Sequence, residues 1–336
     1  MTGLSRTLLA CTLALGGPAG AGPAHAMLRL DGYQGPDGAI TVQRGGDAVD
    51  PYFATLALLL AHRAGLDERP AALHWIAWLL ARQAEDGLFA RYRGQPGGPW
   101  TCAGPADADD ALLALWMALL QSEAGTRRPW PIEWRGSLAR SRSALEALKD
   151  PASGVYRVAG SDPSALLMDN VEVQAALRLM AHAAWQRGEG REARRLARQA
   201  ESLRFAMARA FPVGPDGLLR YRLPFESEGP GHFYPDRVAH VYPWLYGMSM
   251  SGWPGHLSYG SWMKAYRDEW LGLADDPFPW GLVALVAISQ GDREAAQRWC
   301  DRAGSLRMGP HWNVLEEVVW QWLAGLSAMG GSCSTD

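Results

Sequence analysis

The chain has 336 residues, 48% of them hydrophobic and 20% charged, and carries a formal net charge of −3. That balance argues against a nucleic-acid partner, because neutralising phosphates calls for a basic face. Its 16 tryptophans exceed ordinary usage several-fold, and indoles placed in loops supply the flat apolar faces that stack on sugar rings.

Residues 1–26 read as an export signal: Arg6 opens it, Thr7 to Leu15 are largely apolar, and Ala24-His25-Ala26 fits a small-x-small cleavage site. A lipoprotein signal ending at Cys11 is the rival reading. Cleavage after Ala26 predicts a periplasmic or secreted protein. No later stretch has the 18 or so uninterrupted apolar residues of a membrane span. Residues 27–329 carry no linker and predict one domain, with a flexible tail at 330–336; a monomer is expected. Cys102, Cys300 and Cys333 are too few for a disulfide framework, although an oxidising compartment allows one bridge, and without a CxxC or a His/Cys cluster no metal site and no cofactor are expected.

A period of 3.6 dominates the rest. It predicts eleven helices near 50–64, 70–84, 107–124, 134–149, 168–188, 190–210, 243–252, 256–273, 276–290, 292–304 and 312–328. Between them recur short extended pieces opened by a turn glycine, at 35–40, 86–92, 153–157 and 215–221. This spacing suggests a repeated helix-pair unit. Helices 190–210 and 292–304 are rich in Arg, Glu and Ala and read as solvated outer members. Helices 50–64, 168–188 and 276–290 are more apolar and read as inner ones. The fold class expected is all-α, a double ring of helical hairpins one helix short of twelve, with the inner helices parallel. The long joints at 85–106, 150–167 and 211–242 all lead into inner helix starts, so the chemistry should gather on that face.

Several clusters lie there. Asp107 and Asp110 share a helix face, while Asp109 points away from Asp107. Asp107 and Asp109 can also serve as ordinary cap and first-turn acids. Asp169 and Glu172, three apart in an apolar helix, converge as a carboxylate pair that needs a reason. Trp312, Glu316 and Trp320 form a stripe in which Glu316 would be desolvated and inclined to keep its proton. The parallel stripe Asn313-Glu317-Gln321 reads as the solvent side. Asp236, His240, Tyr242 and Tyr246 lie along one segment, where the histidine is either active or a hydrogen-bonded core residue. Asp50 stands before Pro51 at the first inner start. There is no glycine-rich phosphate loop and no nucleophile elbow.

The plan resembles the six-hairpin, (α/α)6-toroid glycosidases, and most of all glycoside hydrolase family 8. The likeness is sharpest at Ala106-Asp107-Ala108-Asp109, followed by Leu112 and Ala114, which is similar to that family's acidic signature. Ala106 stands where the signature has Ser or Thr. The first inner start, Asp47 to Ala54, offers Asp47 and Asp50 where the family has a general-acid Glu. The resemblance implies hydrolysis of a polysaccharide or oligosaccharide between two carboxylates. Asp50 or Glu172 is then the expected acid, and Asp109 or Asp169 the base. Asp107, His240, Tyr242, Tyr246 and Glu316 would contact substrate, with Trp100, Trp244 and Trp312 as stacking platforms. Two rivals remain at this level. One is a lyase on the same toroid, using Tyr242, Tyr246 and His240 with Arg237 on a uronic carboxylate. The other is a non-catalytic carbohydrate-binding or assembly protein.

Overall fold

Apolar helices alternate with charge-rich ones along the chain, and that alternation sorts them into two layers. The computed structural model describes residues 26–125, 129–224, 231–273 and 275–327, and among these are eleven α-helices. The odd-numbered ones are α1 (Pro51–Ala64), α3 (Asp109–Ala124), α5 (Leu167–Gln186), α7 (Val241–Leu245), α9 (Gly281–Ser289) and α11 (Val314–Ser327). Each packs on the next, and α11 returns to α1, closing an inner ring. The even-numbered ones are α2 (Arg69–Leu80), α4 (Ile132–Leu148), α6 (Gly190–Ala210), α8 (Tyr259–Gly272) and α10 (Arg293–Ala303), and they lie outside. No helix among the described residues is long and apolar enough to cross a membrane.

The layers follow from patterning. On α6 the buried residues are Ala193, Leu196, Ala200, Leu203, Arg204, Ala206 and Met207, one stripe at helical spacing with a charged outer face. On α3 every residue from Asp109 to Gln121 is buried, as a helix flanked on all sides must be. Burying a leucine such as Leu119 contributes roughly 1.5–3 kcal/mol. Irregular chain between residues 27 and 43 occupies the outer position where a twelfth helix would stand. It exchanges hydrogen bonds with Gln321 of α11 through Arg29, and Gln34 donates to the Ala71 carbonyl of α2.

The glycine-opened pieces form small hairpins, bridged at Gln34↔Ile40, Lys149↔Tyr156 and Val213↔Leu219. Their turns press on the following outer helix. A Cβ on Gly38 (φ +95) would lie 2.5 Å from the His74 carbonyl oxygen of α2, and one on Gly87 (φ +93) 2.7 Å from that of Arg140 on α4. Only glycine fits both the left-handed turn and the close approach. The second piece grows into an antiparallel sheet of β1 (Ala48–Val49), β2 (Ala90–Gly94) and β3 (Trp100–Pro105) beside the start of α1. A second sheet pairs β4 (Ala165–Leu166) with β5 (Arg222–Leu223), just before α5.

Three helices differ from the periodicity by four residues or more, and the first of them, expected over 70–84, ends at Leu80. The helix expected over 243–252 is only Val241–Leu245, preceded by irregular turns at Phe233–Arg237 and Val238–His240. Gly247 takes φ +60 and donates to the Trp244 carbonyl, and the Met248 N–H reaches back to Pro243, which ends the helix. The helix expected from 276 starts at Gly281, because Pro277 and Pro279 disfavour helical geometry in the residues before them. Cys102 is free and exposed, and Cys300 is disulfide-bonded.

Candidate active site

All six inner helices begin on the same face, and their first turns bring distant acidic residues together. Two devices fix the starts of α3 and α5 against one loop. The Asp109 N–H donates to the Val158 carbonyl at 2.8 Å, while Asn170 clamps the Tyr156 backbone through bonds of 2.7 and 2.9 Å. At the start of α1, Asp50 accepts from the Tyr52 N–H at 3.0 Å and Pro51 follows in the first turn.

Between these starts sit three buried carboxyls. Asp110 and Glu172 are fully buried and Asp169 is 7% exposed. The hydroxyls of Tyr52 and Tyr246 donate to Glu172 Oε1 at 2.9 and 3.1 Å, and Tyr242 is hydrogen-bonded to Tyr52. Glu172 Oε2, Asp169 Oδ2 and Asp110 Oδ2 are buried without a protein partner. No Lys, Arg or His among the described residues pairs with any of the three. Burial, and then Asp169 beside it, pushes the Glu172 carboxyl up to about 8. Burial and then Asp107 push Asp169 up to about 7. Asp110 is held well above the carboxylate range by burial and by Asp169. The cause is the ordinary one: a buried acid without a cation keeps its proton.

Asp107 stands at the rim, exposed, and its charge is felt by Asp169, Asp50 and Tyr234. Asp50 in turn lines a cavity of about 390 Å³ with Gln43, Asp47, Phe53, Arg91 and Tyr92. On the far side of the hollow, Tyr234 lies flat on Trp280 with centroids 4.9 Å apart, and the residue is 45% exposed. Burial and the charges of Asp169, Asp107, Asp276 and Glu172 push its hydroxyl up to about 12. Trp280 holds φ +50, a left-handed conformation that is costly for a bulky residue, and its indole donates to Asp276 at 3.0 Å.

Thus Asp169, Glu172, Asp107, Tyr242 and Tyr246 come together, with Asp50 at the edge. Others among the expected residues do not join them. Asp109 is buried, and the charge acting on it is Asp86, which with burial raises it to about 6; it faces away from the Asp169 cluster. His240 is core: its Nδ1 accepts from Leu219, its Nε2 meets the Leu257 carbonyl, and burial pushes it down to about 4. Trp244 packs edge-on against His240 and Tyr259. Trp100 donates to Asp37 at 2.7 Å on the β3 hairpin. Trp312 is 1% exposed, packs on Trp299 and Trp320, and donates to Glu317, so no face is left for a sugar. Glu316 caps α9 by accepting from the Gly281 N–H at 2.9 Å. Glu317, read as solvent-facing, is 3% exposed and paired with Arg307 at 2.7 Å.

No family model matches the sequence, and no curated protein matches it. Solved structures do. An alpha-amylase from Clostridium perfringens aligns at TM-score 0.56 and 11% identity, over 85% of this chain and 86% of that one. Rex8A from Paenibacillus barcinonensis, in complex with xylose, aligns at 0.53 and 17%, over 89% and 86%. A reducing-end-xylose-releasing exo-oligoxylanase gives 0.53 and 15%, also over 89% and 86%. The fold is the (α/α)6 toroid. At this level the resemblance to six-hairpin glycosidases holds. The toroid also explains what sequence reasoning missed. Tyr52, Tyr234 and Trp280 reach the hollow from three separate stretches, and nothing local marks them apart from the proline pair before Trp280; Asp110 stands out in the sequence only as a member of the Asp107–Asp110 cluster, without a role of its own.

Proposed function

We propose that the protein is an exported glycoside hydrolase that cleaves a polysaccharide or oligosaccharide as a monomer. The observation that carries this reading is the set of cation-free buried carboxyls, Asp110, Asp169 and Glu172, beneath an exposed aspartate at the shared mouth of the inner helices. Hydrolysis of a glycosidic bond needs one carboxyl that keeps its proton near neutral pH and a second that is ionised. Asp169, raised to about 7 and nearest the opening of the three, fits the acid. Exposed Asp107, with Asp50 behind it, fits the base that activates water. Glu172 and Asp110 are positioning residues that sustain the acid's proton, and the Tyr234–Trp280 stack offers the sugar platform. The neighbours named for an amylase and for release of xylose favour a glycan substrate.

The lyase alternative loses support, because His240 is sealed in the core and Arg237 is paired with Glu269. A panel of bacterial and plant glycans, read by reducing ends and by the ultraviolet absorbance of unsaturated products together, tests the proposal. New reducing ends without absorbance, abolished by Asp169→Asn and Asp107→Asn, are expected. Absorbing products would favour the lyase. Binding without cleavage, retained in both variants, would favour a carbohydrate-binding protein.

A further inference from the structure

The face opposite the hollow carries a second cluster with different chemistry. His62 lies in the last turn of α1, Glu68 directly precedes α2, and Glu123 lies in the last turn of α3. One ligand atom from each lies within 4.8 Å of the others. We infer that His62 Nδ1, Glu68 and Glu123 form a binding site for a divalent transition-metal ion, zinc above all, which staples the α1–α2 joint to the end of α3.

Four features support it. His62 Nδ1 is already 2.7 Å from Glu68 Oε1, and the Glu68 and Glu123 side chains hydrogen-bond each other, so a proton holds together what a cation would hold more firmly. Zinc bonds of about 2.0–2.2 Å put tetrahedral ligand atoms roughly 3.4 Å apart, so the His62–Glu68 contact needs to open by under about 1 Å and no pair needs to close by more than about 1.5 Å. The carbonyl ends of two inner helices, α1 and α3, point here and add negative potential. Arg69 donates at 3.1 Å to Glu123 Oε2 and at 2.9 Å to the Glu123 carbonyl, fixing that carboxylate so that its other oxygen is left for a metal.

The ligand set selects the ion. An imidazole nitrogen with two carboxylates suits zinc and its neighbours, whereas magnesium and calcium take oxygen ligands throughout. Glu68 and Glu123 are buried, but the His62 side chain is 50% exposed, giving an entry path and room for water as a fourth ligand. The three residues stand at 62, 68 and 123, a spacing that no linear metal motif has. This is why the sequence predicts no metal, and only the packing of α3 on α1 joins them.

The inference does not depend on the glycosidase reading. Chelator-treated full-length protein is titrated with zinc chloride by calorimetry, and with cobalt chloride by visible absorbance. One ion per chain is expected, with a tetrahedral-type cobalt band. Zinc at about a hundredfold excess over Kd should raise Tm by roughly 5 °C. His62→Ala, at a half-exposed position that folding tolerates, and Glu123→Gln should each weaken zinc binding at least tenfold. Asp169→Asn, on the other face, should not. Failure of zinc and cobalt to bind, or binding equal in wild type, His62→Ala and Glu123→Gln, would overturn the site.

Discussion

The two faces of the toroid differ in how they satisfy their buried carboxylates. Where the inner helices end, each has a partner: Glu68 has His62, and Glu123 has Arg69. Where they begin, Glu317 on α11 also has a cation in Arg307, but Asp110, Asp169 and Glu172 have only tyrosine hydroxyls or a backbone N–H, and each leaves one carboxyl oxygen without a protein partner. Leaving an acid buried without a cation costs stability, and folding alone would select against three of them together. The difference is the ground on which the proposed site is placed at the helix starts, because groups with shifted pKa values and no structural use collect at reactive sites. Joint length follows the same division: the tightly turned face can be satisfied locally, whereas the long joints bring the aromatic and acidic rim.

Neutralising a carboxyl at the helix starts has the largest expected effect. Asp169→Asn should lower glycan cleavage by about 10²–10⁴-fold, the range for removing a general acid, with Tm unchanged or raised. Loss of stability with retained cleavage would assign Asp169 to structure. Next in size is Trp312→Ala. As a core residue it should cost about 3–5 kcal/mol in a denaturant titration and leave the substrate KM of surviving folded protein unchanged. A raised KM with intact stability would restore it as a sugar platform. Glu316→Ala leaves the Gly281 N–H at the start of α9 without its acceptor and should cost about 1–3 kcal/mol. Asp50→Ala removes the α1 cap and should cost about 1 kcal/mol by the same measurement. A far larger fall in cleavage than in stability there would move Asp50 from the edge of the site to its centre.

Much of this plan was legible in the chain. Helical period, charge and glycine-opened hairpins were enough for eleven helices in two layers, since each depends on neighbours in sequence. The helical wheel also placed Asp107 and Asp110 on one side and Asp109 on the other, and the structure agrees: Asp110 meets Asp169, while Asp109 meets Asp86. Choosing Asp109 as a base went against that wheel. What a wheel cannot supply is the identity of the facing element. Trp312 lies two residues before α11 and Glu317 lies on it, where α9, α10 and the first residues of the domain pack round the helix start, so both side chains are buried. A helix over 236–240 would set Asp236 beside His240, but the turns at 233–240 are not α-helical, so that i,i+4 pairing does not form and Asp236 binds the His232 N–H. Tyr52 and Tyr246 meet only across the ring, 194 residues apart in sequence, on a glutamate carried by a third helix.

The central claim is that the carboxyls at the helix starts are strained by burial and kept for chemistry. Glu172 has a pKa of about 8 in the folded chain against an ordinary 4.5, so the native state holds its proton more tightly than the unfolded one does. That contribution is complete below about 4.5 and declines as pH rises through 8. The direct test is the melting temperature of wild type and Glu172→Gln from pH 5 to pH 9. The account predicts that wild-type Tm falls over this range and that the variant falls less, matching or exceeding wild type at the alkaline end. A wild-type Tm that holds or climbs with pH, or a variant less stable at pH 9, would contradict it.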